Sequence, residues 1–387
     1  MVVKGYHMYI AYAIAAKLGG AGTGNIASRA VRAILKANLP LTAFAFSNKM
    51  GDLPPQNFRP VFRLPRILPI GKKRFKYLRA KLFDLSLSNH IVKLAPSIFH
   101  AWNGHCLRSL KTAKDAGAVT VVERASTHIR TQVQLLAEEY ETFGVSDTAE
   151  IPAMVWRCEE EYALADYITV PSQFAFDSFL AHGFPPEKLL LIHFGVDTDR
   201  FSPRPRQVRE EFRVLFTGRI GLRKGVQYLL SAWNKLKLKN ASLELVGEVE
   251  PTFKKVLSNF SALENLQIPG FVRNPSDKFA EADVFVFPSI EEGSALVTFE
   301  ALASGLPVIT TPNSGSVVRD GLDGFIVRAR DPDALAEKIE YLYNNGDALH
   351  QMSVQARSRA LQFTWDSYGE NLISAYKKIP GDKIAGK

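Results

Sequence analysis

The chain has 387 residues, of which 46% are hydrophobic, and 48 lysines and arginines stand against 39 aspartates and glutamates. This length suggests two or three domains, and the hydrophobic share excludes a mostly disordered chain. No uninterrupted apolar run reaches the roughly 18–20 residues that span a bilayer, and Lys4 and His7 interrupt the apolar start, which argues against a signal peptide. The two cysteines, Cys106 and Cys158, exclude a disulfide framework and fit a cytoplasmic protein.

Short β-branched runs alternate with helical patterns along both halves of the chain, which is typical of parallel α/β sheets. The first half predicts strands near 8–15, 41–46, 97–102, 118–123, 167–171 and 189–193, with helices at 24–38, 152–165 and 172–182. The second half predicts strands near 214–220, 243–247, 266–271, 283–288, 307–311 and 325–328, with helices at 224–237, 251–263, 294–304 and 333–345. We therefore predict an α/β fold of two doubly wound, Rossmann-like domains facing a cleft, with ligands at the carboxyl ends of the strands.

The surplus of positive charge is concentrated in one segment. Residues 59–93 contain ten basic residues, including Arg63 and Arg66, and one acidic residue, a net charge of +9 that equals the excess of the whole chain. Helical spacing places four apolar residues on one face of residues 71–87: Phe75, Leu78, Leu82 and Leu85. Such a basic amphipathic helix is typical of anionic membrane surfaces, although its apolar stripe could instead pack on the first sheet. The basic residues predicted to contact the membrane are Lys72, Lys73, Arg74 and Lys76.

A local basic stretch points to one anionic partner surface. A nucleic-acid-binding protein would more often carry base-stacking aromatic residues beside its basic residues on a sheet, and no such pattern is visible in the sequence. We therefore expect no nucleic acid partner.

The most specific motif is PSIEEGSALVTFEALASGLPVITT at 288–311. An apolar strand ends in a turn that opens a helix, and the N-terminus of a helix favours a phosphate. Glu292 and Glu300, eight positions apart, can accept hydrogen bonds from two hydroxyl-bearing parts of one ligand, such as the hexose and the ribose of a nucleotide sugar. Taken alone, two such glutamates are more often surface charges.

A second motif, GRIGLRKGVQYLL at 218–230, follows the first strand of the same half. Arg219 and Lys224 lie on either side of a Gly-rich turn that opens another helix. An arginine and a lysine so placed can clamp a diphosphate, the arginine through two parallel hydrogen bonds. Taken alone, the motif is more often a solvated basic turn.

Together these segments resemble the retaining GT-B glycosyltransferases of the glycosyl transferases group 1 family, also called family 4. The resemblance covers most of residues 190–330 through FGVDTDRF, TGRIGLRKG, ELVGE, ADVFVFPS, the Glu-x7-Glu element, EALASGLPVITT and DGLDGFIV, whereas LGGAGTGN and ADYITVPSQF carry it in the first half. It implies transfer of a hexosyl group from a nucleotide diphosphate sugar to an acceptor hydroxyl, with retained configuration and without a metal or other cofactor. The implied setting is synthesis of cell-surface polysaccharide or lipid-linked glycan, with a glycan or lipid-linked acceptor, in the cytoplasm or at the inner face of the membrane.

The resemblance also implies roles for particular residues. Arg219 and Lys224 would bind the diphosphate and stabilise the leaving phosphate, Glu292 would bind sugar hydroxyls, and Glu300 would bind the ribose. The other residues predicted to contact the donor are Gly218, Gly293, Ser294, Ala295 and Leu296, with Gly19 and Gly20 on the opposite side of the cleft. Ser294-Ala295 replaces the family's usual aromatic-glycine pair, a departure beside the sugar. The turn at Gly19 and Gly20 could equally be only a tight turn.

Members of this family often place a histidine at the cleft after a central strand of the first domain. His128, which follows the strand at 118–123, and His105, which follows the preceding strand, are the two catalytic candidates. A structural role for each histidine is the alternative.

The resemblance divides the chain into four segments. They are an acceptor-binding domain at 1–195, a linker at 196–212 that contains Pro203 and Pro205, a domain for the nucleotide sugar at 213–362, and a final segment at 363–387. The final segment would hold a helix that crosses back onto the first domain, followed by a tail. The alternative to an enzyme is a sugar-nucleotide-binding or scaffold protein with the same fold but without turnover.

Overall fold

The protein folds into two parallel β-sheets, each flanked by helices, as seen in a computed structural model that describes residues 8–61, 71–147, 149–204 and 211–379. The prediction of two doubly wound domains is confirmed. Arg63, Arg66, Pro205 and the tail after residue 379 lie outside the described residues. Within the described ranges, no helix is both long enough and apolar enough to cross a bilayer.

The first sheet is built from seven strands within the described residues: β1 (Ile10–Leu18), β2 (Leu41–Asn48), β3 (Phe58–Pro60), β4 (Ile98–Trp102), β5 (Val119–Glu123), β6 (Tyr167–Val170) and β7 (Leu189–Leu191). They are ordered β3-β2-β1-β4-β5-β6-β7 and all pair in parallel. Its helices are α1 (Thr23–Lys36), α2 (Lys72–Leu94), α3 (Leu107–Asp115), α4 (Ile129–Thr142), α5 (Pro152–Leu164) and α6 (Gln173–Leu180). Successive residues of β1 enter different cores, because the side chains of a strand alternate between its faces.

The second sheet contains β8 (Phe212–Thr217), β9 (Ala241–Val246), β10 (Leu266–Gly270), β11 (Val284–Phe287), β12 (Val308–Thr310) and β13 (Gly324–Ile326). The strand order is β10-β9-β8-β11-β12-β13, again parallel. The helices of this half are α7 (Val226–Lys235), α8 (Lys254–Ser258), α9 (Ser276–Glu281), α10 (Leu296–Ala303), α11 (Pro332–Asn344) and α12 (Gly346–Ala360). The helix predicted at 251–263 is therefore shorter, because the chain turns after Ser258.

The last described helix, α13 (Trp365–Lys378), packs against α1 of the first domain. Contact is close, since a β-carbon added to Gly369 would lie 2.8 Å from the β-carbon of Ala33. Tyr376 is fully buried, and its hydroxyl lies 2.6 Å from Nδ1 of His100 in β4. The chain thus returns to the first domain after completing the second.

Helix α2 corrects the predicted apolar face. Its core side carries Phe83, Leu87 and Ile91, whereas of the predicted stripe only Phe75 is buried and Leu85 is 44% exposed. At 100° per residue, Leu78, Leu82 and Leu85 point well away from the Phe83–Ile91 side. Two apolar stripes share the helix, and the one that contains Phe83, Leu87 and Ile91 takes the core. The predicted stripe instead lines an open groove beside α3 and α5.

Candidate functional site

A cavity of about 350 Å³ opens at the carboxyl ends of β8, β9 and β10, where ligands bind in doubly wound sheets. Gly218 and Arg219 reach it from the end of β8, and Glu300 reaches it from α10. Phe271, 71% exposed, forms part of its wall. The Oγ1 atom of Thr217, another lining residue, is buried without a hydrogen-bond partner among the described residues. An unpartnered buried hydroxyl indicates a place for a polar ligand group.

Two glycines allow the floor of this cavity to form. Gly218 and Gly247 have φ angles of 143° and 152°, a region that favours glycine. A β-carbon on Gly247 would lie 1.8 Å from the carbonyl oxygen of Gly218, so any larger residue would push the two strand ends apart. The predicted residue Gly218 therefore shapes the site through its backbone.

Lys224 and Glu292 form an ion pair, with the Lys224 ammonium against Oε1 of Glu292, and neither is among the residues that line the cavity. Lys224 ends a short 3₁₀ turn that Gly225 closes with a φ of 69°. Burial, together with the charge of Arg223, lowers the pKa of Lys224, whereas Glu292 acts in the opposite direction. The predicted cation and the predicted carboxylate are thus brought together, although 68 positions separate them in the chain.

Arg219 is placed differently from Lys224. Its side chain is 68% exposed, and Nη1 lies 3.7 Å from Oε1 of Glu250. This exposure leaves the guanidinium open to a ligand in the cavity. The two residues predicted to bind phosphate thus lie on one turn. Lys224 is held in its ion pair with Glu292, whereas Arg219 is exposed.

Glu300 faces the cavity from the second turn of α10. Burial raises the pKa of its carboxyl to about 7, and Arg200 counters this only in part. A carboxyl in this state can donate a hydrogen bond when protonated and accept two when ionised. It is therefore suited to hydroxyl groups of a ligand.

The loop from Gly293 to Leu296, which leads from Glu292 into α10, contacts the first domain. A β-carbon on Gly293 would lie 2.1 Å from the carbonyl oxygen of Ala125, and the Gly293 carbonyl accepts a hydrogen bond from Ser172. The Ala295 amide is held by Ser314, at 2.9 Å, and Leu296 packs against the first domain's core. Because α10 begins at Leu296, two residues later than predicted, Ser294 stays in the loop, where its buried Oγ has no partner among the described residues.

Two functional residues were not predicted, Arg223 and Glu291. Arg223 Nη2 lies 2.9 Å from Oε2 of Glu291, and Glu291 is fully buried. Burial alone would raise the pKa of Glu291, but Arg223, Ser126 and Thr127 together hold that pKa below its ordinary value. In the sequence, Arg223 directly precedes Lys224 and Glu291 directly precedes Glu292. The two adjacent glutamates were the sequence feature that could have pointed to Glu291.

Gly19 and Gly20 form a tight turn between β1 and α1. The Gly19 amide donates to the carbonyl of Gly24 and the Gly20 amide to that of Lys17, both at 2.9 Å. Since these amides are used within the turn, they are not available to a phosphate in this arrangement. The geometry therefore favours the tight-turn alternative.

The two candidate histidines lie outside the donor cavity. The His128 ring stacks on His182 at 4.0 Å and packs against Tyr162 and Phe179, within an aromatic cluster of the first domain. Burial lowers its pKa to about 3. Burial also lowers the pKa of His105 to about 3, and Lys76 and Arg157 add to this. Neither ring lines the cavity at Arg219 and Glu300, so the geometry favours the structural alternative for both histidines.

Two Asp-x-Asp pairs occur in the sequence, and both cap local structure. Oδ1 of Asp197 accepts the Arg200 amide at 3.0 Å, and Oδ1 of Asp331 accepts the Ala334 amide at 2.9 Å at the start of α11. Within the described ranges, no group of three or more histidine, cysteine, aspartate or glutamate side chains could hold a metal ion.

The chain matches the family profile described as Glycosyl transferases group 1 over residues 211–345. It is 28% identical over 225 residues to the MMP alpha-(1->4)-mannosyltransferase of Mycolicibacterium hassiacum, covering 56% of this chain and 54% of the relative. The chain thus spans about half the length of the curated relatives it matches.

Solved structures extend the similarity to the whole fold. Sucrose-phosphate synthase from Thermosynechococcus elongatus superposes with a TM-score of 0.74 at 17% identity, covering 96% of this chain and 99% of that one. An Anabaena protein in complex with UDP-glucose gives a TM-score of 0.67 at 16% identity, covering 96% and 100%. Residues 211–345 therefore match the glycosyl transferases group 1 family, and the chain as a whole has a GT-B fold.

Proposed function

We propose that the protein is a retaining glycosyltransferase that moves a hexosyl group from a nucleotide diphosphate sugar to an acceptor hydroxyl. The observation that carries the proposal is that Arg219 and Glu300 line one cavity at the carboxyl ends of β8, β9 and β10, while Lys224, on the same turn as Arg219, pairs with Glu292 in the loop that leads to Glu300. The complex of the Anabaena structure with UDP-glucose supports a donor of this class. The non-catalytic alternative keeps the same ligand but lacks turnover.

Each side chain has a place along such a donor. Glu300 in the cavity would accept hydrogen bonds from the ribose, and the exposed Arg219 would reach the diphosphate. Lys224 would bind the phosphate nearest the sugar, and Glu292 would bind the sugar hydroxyls. The positive end of the α10 dipole lies at the same loop and favours an anion there.

The proposed reaction depends mainly on stabilisation of the negative charge that develops on the leaving diphosphate. The bond from the anomeric carbon to the diphosphate breaks, and the departing phosphate gains negative charge. The acceptor oxygen bonds to the same carbon on the same face, and its proton passes to the departing phosphate. Arg219, Lys224 and the helix dipole are positioned before the reaction and would stabilise the charge as it develops. This step needs no histidine, in keeping with the positions of His105 and His128.

The proposed acceptor is a glycan or a lipid-linked glycan of the cell surface, reached at an anionic membrane. Lys72 and Arg74 of α2 are exposed, and Lys73 and Lys76 pair with Asp147 and Glu150. Leu78, Leu82 and Leu85 line the open groove of this helix with more basic side chains around them: Lys81, Arg108 and Lys111. Apolar residues with three exposed cations and one exposed carboxylate, Glu160, around them match the chemistry of an anionic lipid surface.

A thermal-shift panel of UDP, GDP, ADP and their sugars tests the donor site, because a ligand that binds the native state raises the melting temperature. One nucleotide series should stabilise the wild type and the matched control Lys235→Ala, whose ion pair with Asp333 lies on the surface of the second domain. Lys224→Ala should lose most of the shift. Release of nucleoside diphosphate with a crude lipid or polysaccharide acceptor then tests turnover. Binding without release would favour the non-catalytic alternative, and no shift from any member would contradict both.

A further inference from the structure

The carboxylate of Glu291 lies between the two domains and accepts hydrogen bonds from both. From the first domain, Ser126 Oγ and Thr127 Oγ1 donate to Oε1 at 2.5 and 2.8 Å, and Gln132 Nε2 donates to Oε2 at 3.2 Å. From the second domain, Arg223 lies 2.9 Å from Oε2. A charge buried without such partners would be strongly unfavourable, so this site is complete only when both domains contribute.

Separation of the domains would change the surroundings of Glu291 more than those of Glu292. The three side-chain donors on the first domain would be lost together with the Thr127 amide, which donates to Oε1 at 3.4 Å, and Arg223 would remain. Charge-assisted hydrogen bonds are among the stronger polar interactions. The closed arrangement of the domains is therefore favoured at this carboxylate, as it is at the buried Glu139 of the first domain, which accepts hydrogen bonds from Gln227 and Arg330 of the second domain.

The same residue also reaches the donor site through its neighbours. Arg223 Nε donates to the main-chain carbonyl of Glu291 at 3.0 Å and lies 3.7 Å from Oε1 of Glu292. The main chain is held again at Ile290, whose amide donates to the carbonyl of Arg223 at 2.9 Å. Arg223 and Glu291 directly precede Lys224 and Glu292 in the chain, so fixing the first pair fixes the backbone of the second.

We propose that Glu291 is a positioning residue that couples closure of the two domains to the alignment of Lys224 and Glu292. On closure, Ser126 and Thr127 complete the hydrogen bonds of the Glu291 carboxylate. This locks the Arg223–Glu291 pair and holds the phosphate-binding lysine beside the sugar-binding glutamate. The coupling to transfer rests on the proposed function, whereas the coupling to closure does not.

Closure can be measured without catalysis. Spin labels on Lys111→Cys and Lys255→Cys, both exposed and in different domains, report the interdomain distance in the full chain, and the native Cys106 and Cys158 are buried. Glu291→Gln removes the charge, and Ser126→Ala with Thr127→Val removes the donors from the opposite domain. Both variants should shift the distance distribution toward longer separations, without nucleotide and with UDP, GDP or ADP. Lys235→Gln, the control, should leave the distribution unchanged.

Turnover should fall about tenfold or more in either variant, and combining them should add little, because both break one shared interaction. A folding defect alone would lower the melting temperature without lengthening the interdomain distance. The proposal is overturned if the Ser126 and Thr127 changes leave distance and turnover as in the wild type while Glu291→Gln impairs turnover, since Glu291 would then act within its own domain. The variants could lengthen the interdomain distance in a protein whose wild type shows no transferase activity. That result would support the coupling of Glu291 to closure and reject the proposed function.

Discussion

The ammonium group of Lys224 lies directly against the carboxylate of Glu292. A diphosphate would compete with that carboxylate for the lysine. The carboxylate would then be released toward the hydroxyls of the sugar. Within the pair, each charge compensates the other.

Replacing Lys224 or Arg219 by Ala should lower turnover by on the order of 10²–10³, as for the loss of one preorganised charge partner. Lys224→Ala also leaves Glu292 without its cation. Steady-state release of nucleoside diphosphate gives the measurement, with Lys235→Ala as the control. Turnover within twofold of the wild type would remove the residue concerned from the mechanism.

Glu300→Gln should weaken binding of nucleotide sugar and free nucleoside diphosphate alike, because both carry the ribose. Glu292→Gln should weaken binding of the nucleotide sugar more, because only that ligand carries the hexose. Calorimetric titration of both ligands against both variants separates these roles. Equal losses of affinity for the free nucleotide would show that the role assignment is wrong even within the correct family.

Donor binding should tighten as the pH rises from 6 to 8. Burial raises the pKa of Glu300 to about 7, so the free carboxyl is largely protonated at pH 6 and must release its proton to accept two ribose hydroxyls. A nucleotide sugar is the proper ligand, because its diphosphate is esterified at both ends and does not titrate in this range. Glu300→Gln should bind with little change over the same interval. A wild-type affinity that is flat with pH would contradict this assignment.

Acid should destabilise the first domain through His128. Burial lowers its folded pKa to about 3, below the ordinary value of about 6.5. Its contribution to stability is therefore present above about pH 6.5 and is lost as the pH falls toward 3, by up to about 1.4 kcal/mol per pH unit. Urea unfolding between pH 7 and 4 should show a smaller loss in His128→Asn, which retains a capping side chain for α4. Identical slopes in the two proteins would mean that the ring takes up its proton over the same pH range in the folded and unfolded states.

Changing Lys72, Lys73, Arg74 and Lys76 to Gln should abolish sedimentation with vesicles rich in anionic lipid and leave nucleotide binding intact. Of these, Lys72 and Arg74 should matter more, because Lys73 and Lys76 are already paired with acidic residues. Binding of the wild type should fade as salt rises, since the interaction acts within about 10 Å at 0.1 M ionic strength. Lys237→Gln with Lys239→Gln, two exposed lysines of the second domain, provides the control for charge. A wild type that stays in the supernatant at low salt would leave a soluble acceptor as the better hypothesis.

Local motifs were predictable because their chemistry is carried by neighbouring residues. The turn from Gly218 to Lys224 joins a strand to a helix within a few positions, so glycine and charge placement indicate its geometry directly. The pairing of Glu291 with Ser126 was not predictable in this way, because 165 positions separate them and only the packing of two domains brings them together.

The direction in which a side chain points was harder to predict than the helix or strand that carries or precedes it. His128 does follow the strand that was predicted, yet its position as the N-cap of α4 turns the ring toward Phe179 and away from the cavity. In α2 the helix was predicted, but Leu82 and Leu85 compete with Phe83 and Leu87 for the core. Periodicity shows both stripes and does not say which one the sheet covers.

Because α13 returns to the first domain, the two domains are completed at different stages of translation. The second domain is continuous in the chain, so all of its strands have left the ribosome when residue 326 has emerged. The core of the first domain is complete only after Tyr368, Leu372 and Tyr376 have been synthesised, because these residues of α13 pack on one face of its sheet. A nascent chain halted before α13 would therefore hold the complete second sheet beside a first domain whose apolar sheet is uncovered on one face.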